Sequence, residues 1–362
     1  MADVFLQLSA EDRRDALGVV ADRSGRPTHL LEKDVWVVWA LATLYAAPLG
    51  EHLVFKGGTS LSKAYQVIRR FSEDVDLTYD IRAIAPDLVG DNREGLPKTR
   101  SEEKRWSSEV RRRLPAWVAE TVQPVIETAL AVEGLAAAVR VEDEKLFIDY
   151  EATAAGSGYV APSVMLEFGA RSTGEPSSLR DVVCDAAGLI DGLVFPTARP
   201  RVMHAERTFW EKATAIHVFC LQERLRGDRF ARHWHDVVRL DEAGFAEAAF
   251  ADRDLANAVA RHKSMFFAEK AADHTPIDYA AAVSGGLQLV PVGDGAKALE
   301  DDYARMVEDG LLFADEEPFE ALMAQCADMH AGVGVGEGPG REPGQPGAGT
   351  LLHAAAALQI LR

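Results

Sequence analysis

Apolar and polar positions along the chain change period several times. Residues 8–48 repeat at helical spacing, with Ser9 placed as an N-cap and Asp12 three residues on. A second helix is predicted over 30–45. Its WVVWALATLY run is apolar over most of its surface, which predicts burial, and Pro48-Leu49-Gly50 ends it. A short apolar run, Leu53-Val54-Phe55, leads into Lys56-Gly57-Gly58-Thr59-Ser60, and Leu61, Ala64, Tyr65 and Ile68 then predict a helix over 61–70. From Asp74 the period becomes two, with Val75, Leu77 and Tyr79 on one face and Asp74, Asp76 and Thr78 on the other. This is the pattern of a half-buried strand.

Further on, the polar stretch 86–113 reads as beginning in a loop, and 114–138 as a helix. Strands are predicted at 146–150, 164–168 and 182–184, separated by turns rich in Gly, Ser and Thr. From 205 to about 330 the pattern is helical only, over 206–226, 230–240, 246–267 and 295–310. Strands with helices, then helices alone, predict an α/β (α+β) fold, a mixed sheet flanked by helices with a helical C-terminal part. Three parts are expected: 1–200, 201–330 and a tail over 331–362. Eight glycines and three prolines in 332–349 mark the tail as flexible and of low complexity, and the closing LLHAAAALQILR fits a short helix without an assigned role. No internal repeat is visible.

Composition narrows the classes. Of 362 residues 48% are hydrophobic and 27% charged, enough to bury a core. A net charge of −18 argues against coating nucleic acid through bulk charge, though not against a local basic groove. Cys184, Cys220 and Cys326 form no CxxC pair, so neither a disulfide framework nor a cysteine zinc site is expected, and a reducing cytoplasm fits. The acidic, amphipathic N-terminus has no signal-type apolar region and no stretch reaches a membrane span, so a soluble cytoplasmic protein is expected. Without coiled-coil heptads, a monomer is expected.

The chemistry concentrates in residues 55–79. Asp74 and Asp76 sit two apart on a strand and point to one face. Two crowded carboxylates are most easily kept ionised by a divalent cation, and their hard oxygens suit Mg²⁺. Gly57-Gly58 lets backbone N–H groups approach a ligand, and Ser60 adds a hydroxyl at a helix start, where anions are favoured. Phosphate cradle and metal carboxylates thus meet in one strand-helix-strand unit, as metal-assisted phosphoryl or nucleotidyl transfer requires. The glycines do not have P-loop spacing.

Glycine pair, helix and DxD in this order resemble the polymerase-beta-like nucleotidyltransferase fold. The string LEKDVWVVWAL followed by LVFKGGTSLSKAYQVIRRFSEDVDLTYD is similar to the AbiEii/AbiGii toxin nucleotidyltransferases of type IV toxin–antitoxin and abortive-infection systems. Later motifs match at Lys212 in RTFWEKATAIH, Asp236 in RHWHDVVRL and Glu167 in VMLEFGAR, over roughly residues 28–240. The resemblance implies that Asp74 and Asp76 bind Mg²⁺ and the triphosphate, and that Gly57, Gly58, Thr59 and Ser60 hold its β and γ phosphates. Lys212 would neutralise transition-state charge. Asp236 would position or deprotonate the acceptor hydroxyl, or orient Lys212. Glu167 would complete the metal shell or order Arg171. The resemblance further implies an NTP substrate, tRNA as acceptor, a block of translation or phage defence, and a cognate antitoxin.

Plainer roles compete. Lys212 fits a solvated helix face, and Asp236 fits an ion pair with Arg232 or Arg239. Glu167 fits a salt-bridged acid. His233 and His235 do not share a helix face and are not expected to bind metal. Residues 98–113 hold seven basic and three acidic side chains and read as an RNA contact with Trp106 as stacking surface, or as a solvated helix. Arg224, Arg226, Arg229 and Arg232 form a second basic cluster. Arg229 to His235 matches the loose R-x5-H of HEPN-type ribonucleases, a metal-independent alternative. Nucleotidyl or phosphoryl transfer to a protein, and a non-catalytic binding role, also remain open.

Overall fold

Ser9 caps the first long helix, α1 (Ala10–Ser24), by accepting from the Asp12 amide, and left-handed Gly25 ends it. The computed structural model to which this helix belongs describes residues 2–70, 72, 74–153, 161–223, 229–312 and 315–333. The predicted tail from 334 onward, and Arg224 and Arg226, lie outside the described residues. Helix α2 (Thr28–Ala46) is buried along most of its length, as its apolar run predicts. The chain then enters β1 (Leu53–Lys56), turns through Gly57–Ser60 and continues as a π-turn over Leu61–Tyr65. The helix expected over 61–70 stops there, because Gln66 takes a left-handed conformation. The irregular stretch that follows buries Ile68 and Arg70 before β2 (Asp74–Tyr79) begins.

Residues 86–113 differ from expectation more strongly. Thr99 accepts from the Glu102 amide and starts α3 (Arg100–Trp117), which runs through a π-turn into α4 (Gln123–Glu133). Residues 137 and 138, expected at the end of that helix, open β3 (Ala137–Glu142) instead. Then come β4 (Lys145–Tyr150), β5 (Ser163–Gly169), β6 (Ser177–Leu179) and β7 (Arg201–Met203). These strands form a mixed sheet in the order β3-β4-β5-β2-β1-β7-β6. Strand β2 pairs antiparallel with β1 and parallel with β5. The strand predicted at 182–184 pairs outside this sheet, with Thr197–Ala198.

The helical half comprises α5 (Ala205–Gln222), α6 (Arg232–Glu242), α7 (Phe245–Ala251), α8 (Arg253–Phe266), α9 (Gly293–Glu308) and α10 (Phe319–Val333). The single helix predicted over 246–267 is broken at Asp252, which caps α8 by accepting from the Leu255 amide. Two apolar clusters result. One joins Val75, Leu77, Leu166 and Phe168 of the sheet to α2, α3 and α4. The other belongs to the helical half, joined by Leu61 and Ile68 from the segment after the glycine turn. The opposite, polar face of β2 is left toward α5 and α8. Among the described residues no helix is long and apolar enough to cross a membrane.

Candidate active site

Strand register assembles the site. Antiparallel pairing puts Lys56 opposite Asp76, and parallel pairing puts Glu167 beside Asp76. With side chains alternating along β2, Asp74, Asp76 and Glu167 share the polar face. The chain leaves β1 through Gly57 at φ 77°, where an added Cβ would lie 2.0 Å from Asp76 Oδ2. A Cβ on Gly58 would lie 2.4 Å from Arg70 Nη2. Only glycines allow the loop to rest against both groups. Thr59 donates to the Asp74 carbonyl at 2.5 Å and Ser60 to the Gly57 carbonyl at 2.8 Å, and both side chains are buried. The two hydroxyls expected to face phosphate therefore brace the loop, whose remaining donors for an anion are the N–H groups of its first helical turn.

Lys212 and Asp236, predicted from separate helices, are brought together. Lys212 Nζ is 2.9 Å from Asp236 Oδ2. Arg70 grips the same carboxylate with two parallel bonds, Nε to Oδ1 at 2.6 Å and Nη2 to Oδ2 at 2.7 Å. Asp236 is fully buried. Burial alone would raise its carboxyl, but Arg70 and Lys212 hold it well below the usual carboxylate range. The alternative pairing of Asp236 with Arg232 or Arg239 does not form. Helix α6 turns Asp236 into the core, and Arg239 pairs with Glu242 and Glu317. A solvated Lys212 is likewise overturned, since it is buried.

Burial pushes the Asp76 carboxyl up; Lys56 opposes this and Glu167 adds to it. Arg70 also feels both Asp74 and Asp76. Glu167 is half-exposed and pairs with Lys145 at 3.3 Å. Among the described residues no three His, Cys, Asp or Glu side chains gather as a metal cage. Mg²⁺ seldom uses one, taking one or two carboxylates with the rest from substrate phosphates and water, so the Asp74 and Asp76 donor set fits it. Beside Asp76 opens a cavity of about 300 Å³ lined by Lys56, Glu167, Arg171, Glu211 and Lys263.

Other expectations are corrected. Trp106 is 1% exposed and packs with Val110 and Leu114 along the inner face of α3, so it offers no stacking surface. Arg105 and Arg112 of the same stretch are exposed and lie near Glu102 and Glu109. His235 is fully buried, with Nδ1 3.3 Å from Asp236 Oδ1. Sequence reasoning missed Arg70, whose partner lies 166 residues away, and Lys56 and Lys263. Lys56 alone carried a signal, directly preceding the glycine pair on the predicted strand.

A mixed sheet presenting a DxD pair against a glycine turn, with a buried lysine held alongside, defines a nucleotidyltransferase core. The family model described as nucleotidyl transferase AbiEii toxin, type IV toxin–antitoxin system, matches residues 39–325, and the chain belongs to this family. It is a nucleotidyltransferase of the toxin class, with an NTP as substrate and a cognate antitoxin implied by the family. Among solved structures, JHP933 from Helicobacter pylori is 15% identical, with 85% of this chain and 92% of that chain covered and a TM-score of 0.37. MenT4, a nucleotidyltransferase toxin from Mycobacterium tuberculosis H37Rv, is 19% identical over 88% of this chain and 99% of its own, with a TM-score of 0.35. No curated protein matches the chain.

Proposed function

We propose that the protein transfers a nucleoside monophosphate from an NTP to the 3′ end of an RNA, with tRNA as the acceptor, in a Mg²⁺-dependent reaction that blocks translation or gives phage defence. The observation that carries this reading is the convergence at Asp76, where the Gly57-Gly58 turn rests against the carboxylate and Asp74 shares its face. Asp74 and Asp76 would hold Mg²⁺, which when bound supplies positive charge to the triphosphate. The N–H groups of the glycine turn would orient the β and γ phosphates. Lys212, fixed by Asp236, would neutralise charge developing toward the leaving pyrophosphate. Asp236 is closed off by Arg70 and Lys212, which favours the orienting role over that of a base. Glu167 borders the site as an acid paired with Lys145. We read the chain as a cytoplasmic monomer in three parts, 1–200, 201–330 and 331–362. Burial of His235 speaks against the R-x5-H ribonuclease alternative.

The test is to incubate the protein with total RNA, Mg²⁺ and each α-³²P NTP in turn. The expected result is label in a tRNA-sized band from one NTP, absent with EDTA and with Asp76→Ala. Label in protein instead would move the acceptor class, and RNA cut without any NTP would overturn the reading.

A further inference from the structure

A second cavity, of about 1020 Å³, lies between residues 89–98, the start of α3 and one stripe of α8. Asn257, Ala260, Arg261 and Ser264 supply that stripe at positions i, i+3, i+4 and i+7 of the helix. His262 and Lys263, which line the cavity beside Asp76, fall off it, and the two cavities share no lining residue. Local bonds set the walls. Asn92 donates from Nδ2 to the Leu96 carbonyl at 2.6 Å, closing the loop on itself. Gly95, at φ 61°, rests so close to Ile81 that a Cβ there would lie 2.7 Å from Cγ2. Arg100 donates from Nη1 to the Met265 carbonyl at 2.6 Å, tying the start of α3 to the end of α8. The space is therefore formed before anything enters it, as in most small-molecule sites, and stands at the upper end of the ~300–1,000 Å³ that such sites span.

Its lining narrows the occupant. Val89, Leu96, Trp106, Ala260 and Met265 contribute apolar surface. Asp91, Glu94 and Glu102 stand against Lys98 and Arg261. Glu94 already lies 3.7 Å from Arg261, and Glu102 accepts from the Lys98 amide at 2.6 Å. Neither sign dominates, so an ion of either charge gains little, and the three carboxylates disfavour a nucleic-acid backbone. One donor is left over. Trp106 is 1% exposed, and its indole N–H finds no acceptor among the described residues. Buried N–H groups are normally paired, and leaving one unmade is costly. We propose that this cavity binds a small uncharged molecule, apolar over most of its surface, whose oxygen or nitrogen acceptor takes the Trp106 indole N–H. This site is separate from the transfer chemistry and requires neither NTP nor RNA.

The experiment titrates the full chain, without NTP or RNA, against two probes followed by fluorine NMR. One is 4-fluoroacetophenone, which carries a carbonyl acceptor. The other is 1-ethyl-4-fluorobenzene, of nearly the same shape with no acceptor. Wild type is expected to bind the ketone saturably and about threefold or more tightly than the hydrocarbon, the margin of one net hydrogen bond. Trp106→Phe keeps an aromatic wall and removes the donor, so it should bring the two probes to within about twofold of each other. Ser264→Trp, at an exposed position on the cavity, fills the space and should weaken both probes about tenfold or more. Val132→Trp, on the exposed surface of α4, adds the same side chain outside the cavity and should match wild type. Equal binding of the two probes by wild type, or no saturable binding, would overturn the proposal. So would a ketone preference that survives in Trp106→Phe, or Ser264→Trp binding as wild type does. If Trp106→Phe does not fold, Ser264→Trp against Val132→Trp still decides, because neither replaces a core residue. Failure of NTP transfer leaves these outcomes unchanged.

Discussion

Asp236 shows how much a single buried carboxylate can hold in place. It carries one negative charge against Arg70 and Lys212 with no exposure to water. Replacing it by Asn keeps the shape but takes from two buried cations the carboxylate they share, a loss of about 3–5 kcal/mol by analogy with broken buried ion pairs. Chemical denaturation is expected to show that loss, and turnover should fall because Lys212 loses its anchor. Lys212→Met should be milder in stability, since Arg70 still satisfies Asp236, yet should lower kcat by orders of magnitude. A variant with normal turnover would remove Lys212 from the site. At Gly57, alanine would combine a left-handed backbone with a Cβ 2.0 Å from Asp76 Oδ2. The expected cost is about 1–3 kcal/mol in melting experiments together with loss of transfer. Asp74, Asp76, Gly57 and Gly58 of the candidate site were legible because DxD and glycine-pair patterns are local. Arg70 was not, because its role depends on an ion pair closed only by the fold.

At the scale of elements, period-two alternation located β2 and its faces correctly, and the long apolar stripe located α2. Errors fell where local signals conflict. Residues 100–117 are rich in charge, which reads as loop, but Trp106, Val110 and Leu114 supply an apolar stripe and Thr99 a cap. The helix after the glycine turn was predicted too long because Gln66 gives no sequence warning of its left-handed conformation. Two buried histidines on neighbouring helices make a pH prediction. On α5, His217 accepts the Gln288 amide at Nδ1, and on α8, His262 donates from Nε2 to the Arg171 carbonyl. Burial pushes each down to about 4. Below the ordinary value near 6.5 the unfolded chain takes up protons that the folded chain refuses, so stability falls as pH drops from 6.5 to 4. Each histidine contributes roughly 3 kcal/mol to that fall, at ~1.4 kcal/mol per unit. Melting temperature against pH should show the decline, and His217→Asn, which keeps an acceptor near Nδ1, should flatten part of it. A flat profile in wild type would contradict the assignment.

Taken as a whole molecule, the sheet and the helical half keep separate apolar clusters, and charged groups meet between them: Asp74 and Asp76 from one side, Lys212, Asp236 and Lys263 from the other. Segment 57–70 ties the halves together, lending Leu61 and Ile68 to the helical cluster and Arg70 to Asp236. The order of strands and then helices was legible along the chain. The placement of α8 over the sheet's polar face was not, because no local pattern encodes it. The central claim is that the α-phosphoryl group moves while pyrophosphate leaves, and its most direct measurement follows the fate of α-³²P and γ-³²P labels on the same NTP with the same RNA. The account requires α-label in the acceptor and γ-label in free pyrophosphate, both abolished by Asp76→Ala. Label from the γ-position entering the acceptor would instead make the protein a phosphoryl transferase and contradict it.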